Sequence, residues 1–152
     1  SYLYLAMSTY LDSANLAGAS HWMHTQAQEE LTHAMKIYNY VLERDGRVIL
    51  NSIGQPPESW DSPLAAFEAA YQHEQNITEA INNLVSLAID EKDHATNSFL
   101  QWFVNEQVEE EGTVKEVVQR LRLVGESGNG LFMVDRELAQ RTFTPQTEEN
   151  NQ

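Results

Sequence analysis

With 152 residues the chain suits one domain, long enough to bury roughly two thirds of the surface its unfolded form exposes. Nine basic against 23 acidic residues give a formal net charge of -14, which repels phosphate backbones and anionic lipid, excludes nucleic acid and membrane as partners and favours cations. The chain contains no cysteine, so no disulfide holds it and a metal site must draw on oxygen and nitrogen ligands.

No apolar run approaches the roughly 20 residues of a membrane span, and a soluble, cytoplasmic protein is expected. Seven Gly and four Pro, with regular apolar spacing and few alternating β-branched runs, predict an all-α fold. The first helix covers about 1–15, where Tyr4, Met7, Leu11 and Ala14 follow steps of three and four, and it should end near Ala17-Gly18. A second runs over 20–45, with Gly46 placed to stop it in the left-handed conformation. Residues 47–61, with Gly54, Pro56 and Pro57, form a connection long enough to cross a bundle, which would set helices two and three parallel. Ser62 as cap and Pro63 at the first helical position open a third helix over 62–90. A fourth covers 93–124, a Gly-rich break follows at 125–130, and 131–141 is a short amphipathic helix. Residues 1–141 read as one domain, and the polar stretch 142–152 as a disordered tail. The first helix starts at Ser1 in mid-pattern without a capping sequence, so further residues are expected before it.

Carboxylates stand where apolar side chains belong. The core stripe of helix two reads Met23, Ala27, Glu30, Ala34, Ile37, Val41, and that of helix three Phe67, Ala70, Glu74, Ile77, Ile81, Leu84, Ala88. Helix four reads Leu100, Phe103, Gln107, Glu110, Val114, Val117, Leu121. Glu30 and Glu74 sit about 15 and 18 Å into their helices at 1.5 Å per residue, so in parallel helices they meet, and Gln107 joins them from an antiparallel one. Each unpaired buried carboxylate costs several kcal/mol, against about 5 to 15 for a whole domain. No Lys or Arg lies on these stripes, so bound metal is the compensation. The spacing Glu30-Leu31-Thr32-His33 lets both ends reach one ion, and oxygen ligands with one imidazole suit iron or manganese.

A lone Glu-x-x-His in an acidic helical protein is most often a solvated face, and hydrogen-bonded protonated carboxyls would also fill such a core. Convergence on one level is what favours metal. Glu91-Lys92-Asp93-His94 has the same spacing but falls at a helix junction and reads as surface, as do His21, His24 and His73. In Glu109-Glu110-Glu111 only Glu110 lies on the stripe, with Glu29, Glu106 and Glu109 just beside it.

These residues resemble the bacterial-type non-haem ferritins, through Ser1-Tyr2-Leu3-Tyr4, Gln28-Glu29-Glu30-Leu31-Thr32-His33, Gln72-His73-Glu74-Gln75 and the run from Phe99 to Glu111. The resemblance implies a ferritin-like four-helix bundle with a short fifth helix at 131–141. It further implies a di-iron ferroxidase centre in which Glu30 bridges two irons, His33 completes the first site and Glu74 holds the second. Gln107 and Glu110 would lie beside it, with Tyr4 close by and a third iron site drawn from Glu29, Glu106, Glu109 and Glu110. Fe(II) with O2 or peroxide would be the substrates, and the protein a homo-oligomer, a 24-subunit shell holding Fe(III). Bacterioferritins and rubrerythrin-like proteins carry a second Glu-x-x-His on helix four, where this chain has Gln107 and Glu110. Leu31 stands where bacterioferritins place a haem-ligating methionine, so no haem is expected. The family's first iron site also takes a helix-one glutamate from four residues before Ser1. Without it the alternative is a shell that sequesters iron through an incomplete centre, and a di-iron or di-manganese oxygenase would need an organic substrate channel.

Overall fold

The computed structural model describes residues 1–125 and 127–143. Its elements are α1 (Tyr2–Ser13), α2 (Ala17–Glu43), α3 (Pro63–Asp90), α4 (His94–Val124) and α5 (Gly128–Leu138), with a non-helical connection over 44–62. The expected disordered tail lies, from residue 144 on, outside the described residues. Among the described residues no helix is long and apolar enough to cross a membrane.

The chain forms two compact units, one of Ser1–Trp60 with α5, the other Asp61–Ser127. In the first, α1 and α2 make an antiparallel hairpin. Ser1 Oγ donates to the Ala27 carbonyl at 2.7 Å and Ser8 Oγ to that of Ser20 at 3.0 Å, which fixes the register. Tyr4, Met7, Leu11 and Met23 are fully buried along this seam. α1 spans about 18 Å and α2 about 40 Å at helical rise, so only the first half of α2 has α1 over it. Ala34 and Ile37, expected on the core stripe, are exposed.

α2 begins three residues earlier than the sequence suggests. Asn15 takes the left-handed turn at φ 59°, as Asn does more readily than most residues, and Gly18 is left inside the helix. Asp45, at φ 58°, does the same after α2 in place of Gly46. A Cβ on Gly46 would meet Val41 Cγ1 at 2.7 Å, so that glycine serves close packing. α5 docks on α2 where Gly18 faces the Asp135 carbonyl, and Asp135 Oδ1 accepts the Ala19 N–H at 2.8 Å, one of the donors that a helix start leaves unsatisfied. The fifth helix therefore spans Gly128–Leu138, three residues ahead of its expected place.

In the second unit α3 and α4 pair antiparallel across a turn at 91–93. Ser62 Oγ accepts from Ala65 N at 3.0 Å, with Pro63 in the first turn, and Asp93 caps α4 through the Thr96 N–H at 3.0 Å. Every expected stripe position of α4 is buried, while Leu84 of the α3 stripe is exposed. Burial of Phe67 and Phe103 contributes about 1.5–3 kcal/mol each. Gly125, at φ 54°, ends α4.

Candidate metal centre

On α2, Glu30 and His33 lie one turn apart, with His33 Nδ1 3.6 Å from Glu30 Oε2. Gln26, fully buried one turn earlier, donates from Nε2 to Glu30 Oε1 at 3.1 Å. Burial pushes the Glu30 carboxyl upward, but contact with His33, the His33 charge and the Gln26 amide outweigh it, so its pKa lies below the ordinary value. Glu30 is thereby kept as a carboxylate, the form that binds cations. Tyr4 is fully buried in the first turns of α1, whose register starts at the level of Ala27.

On α3 and α4 the polar positions sit in an apolar stripe. Glu74 is 1% exposed, and Gln107 and Glu110 are 5% exposed. Gln107 Nε2 donates to Glu74 Oε2 at 2.7 Å and to the Glu74 carbonyl at 3.0 Å. The amide thus ties the buried carboxyl to its own helix backbone. One turn further along α3, Thr78 Oγ1 donates to Glu111 Oε1 at 2.5 Å.

The other predicted residues are placed differently. Glu29 is paired with Arg141, Glu106 is half-buried and Glu109 exposed. His21 and His24 are exposed as expected, whereas His73 is half-buried. Glu91 closes α3 and His94 opens α4, both exposed. Sequence reasoning missed Gln26 and Arg141. Gln26 was visible in the four-residue step to Glu30, but no local pattern announces Arg141, which contacts Glu29 across 112 positions.

The family model of the ferritin-like domain matches residues 1–124. The chain is 40% identical to a bacterial non-heme ferritin of Bacteroides fragilis, over 91% of this chain and 86% of that protein. It is 42% identical to one of Campylobacter jejuni, over 88% and 80% respectively. An open pore ferritin of the archaeon Archaeoglobus fulgidus superposes with a TM-score of 0.92 at 54% identity, covering 93% of this chain and 87% of that one. The architecture is accordingly a four-helix bundle with a short fifth helix, and the chain belongs to the ferritin family of iron-storage proteins.

Proposed function

We propose that this protein oxidises Fe(II) with O2 at a two-iron centre and deposits Fe(III) inside a shell of identical subunits. The observation that carries the reading is the set of carboxyl groups inset in apolar helix faces: Glu30 held ionised beside His33, and Glu74 fastened by Gln107 near buried Glu110. A folded chain tolerates such groups where a cation neutralises them.

Glu30 bridges the two irons, His33 completes the first site and Glu74 holds the second, with Gln107, Glu110 and Tyr4 around them. Two Fe(II) each give one electron, and O2 takes the pair with two protons and leaves as hydrogen peroxide. Peroxide itself serves as an alternative oxidant. Glu29, Glu106, Glu109 and Glu110 receive a third iron on its way to the mineral, and no haem takes part. Residues 1–141 act as one domain of a cytoplasmic, 24-subunit homo-oligomer, and the net charge of -14 per chain draws Fe(II) toward it.

Aerobic addition of Fe(II), followed by absorbance of the Fe(III) product, tests this. Glu30→Ala and Glu74→Ala are expected to slow oxidation by at least about tenfold, as loss of a ligand contact does. Equal rates in all three proteins would leave a shell that sequesters iron without oxidising it.

A further inference from the structure

Glu29 lies one position ahead of Glu30, yet its carboxylate already has a cation. Arg141 reaches it from beyond α5, with the two side chains only 15% and 18% exposed. The same guanidinium lies over the Trp22 ring, its carbon 4.1 Å from the ring centroid, where an arginine is attracted to the π face. His21 Nε2 is 2.9 Å from the Arg141 carbonyl, which holds the backbone of this residue against α2. The guanidinium is not fully satisfied there, because Nη1 is buried with no hydrogen-bond partner among the described residues, a cost that leaving would relieve. α5 does not depend on this contact for its place, since Asp135 and the close approach at Gly18 hold it independently.

We propose that Arg141 is an internal cation that closes Glu29 to iron, so that a third iron binds this carboxylate only by displacing the guanidinium. The inference rests on the reading of Glu29 as an iron ligand given above. Arginine stays charged at any physiological pH, so it both holds Oε2 of the carboxylate and repels an incoming divalent ion. The third position then fills after the two-iron centre, and Arg141 sets how much iron must accumulate before ions pass through it. By linkage the effect runs both ways: a cation that takes Glu29 frees Arg141 from Trp22.

Zn(II) is a redox-inert probe that N/O sites bind at least as well as Fe(II). Calorimetry on the metal-free oligomer should give two tight equivalents per subunit and a weaker third. In Arg141→Gln the third should tighten by roughly tenfold with the first two unchanged, and in Glu29→Gln it should vanish. In the wild type the third equivalent should shift tryptophan fluorescence, and Trp22→Phe or Arg141→Gln should abolish the shift. A merely structural role for Arg141 would move melting temperature and all equivalents together. A third equivalent equally weak in wild type and Arg141→Gln, or no fluorescence shift in the wild type, would overturn the inference alone. Absence of the first two equivalents from the wild type would overturn the two-iron reading, and the inference with it.

Discussion

Gln107 gives buried Glu74 two hydrogen bonds from one nitrogen, one to the carboxyl at 2.7 Å and one to the main-chain carbonyl at 3.0 Å. Gln107→Leu keeps the volume and removes the donor, so the metal-free protein should lose about 1–3 kcal/mol, the cost of stripping a partner from a buried polar group. Urea denaturation measures this, and a change below about 0.5 kcal/mol, the scatter of neutral surface substitutions, would contradict it. Glu30 has the opposite protection, a contact set that lowers its pKa on folding. Its contribution is therefore full above the unfolded-state value and is lost as pH falls through the folded one. Stability followed from about pH 7 to about pH 3 should drop less steeply in Glu30→Gln than in the wild type, and parallel curves would argue against that assignment. At this scale the sequence was informative wherever a residue broke its own helix pattern, as Glu74, Gln107 and Glu110 do in faces that the structure buries. It was silent on Arg141, because a contact made across 112 positions leaves no periodicity near either partner.

Helices were legible through their spacing and caps. Ser62 and Asp93 both accept the hydrogen bonds expected of them, since capping is a local matter of a side chain reaching three residues on. Less legible was what covers each face. The stripe of α2 continues past Glu30 to Ala34 and Ile37, which are exposed, because periodicity marks a face without saying what packs on it. Glycine is ambiguous for a related reason: Gly18 reads as a helix end, but its missing side chain admits the Asp135 carbonyl. A Cβ there would lie 1.8 Å from that oxygen. The gain of about 1 kcal/mol in helix propensity for Gly18→Ala is then outweighed by overpacking of about 1–3 kcal/mol or more. Gly112, on an exposed face of α4, meets nothing within 4 Å, and Gly112→Ala should stabilise by about 0.5–1 kcal/mol. Thermal melting of the pair should give shifts of opposite sign; a rise in both would mean that α5 does not press on Gly18.

For the whole molecule, apolar side chains left in solvent speak to assembly. Leu50 is 85% exposed and Ile53 77%, both in the connection between α2 and α3, and Phe132 on α5 is 63% exposed. Exposed apolar groups of this size are candidates for cover by a neighbouring subunit. Native mass spectrometry should accordingly find a large multiple of 17.3 kDa, and a stable single chain would remove the cavity in which iron is stored. Fold and family were legible in the sequence because polar residues interrupt three apolar helix stripes at matching levels. On the proposed function, iron occupies those residues. Crystals grown anaerobically with Fe(II), measured by anomalous scattering at the iron edge, should show two iron peaks bounded by Glu30, His33 and Glu74, and iron found only on surface acids such as Glu109 would contradict it.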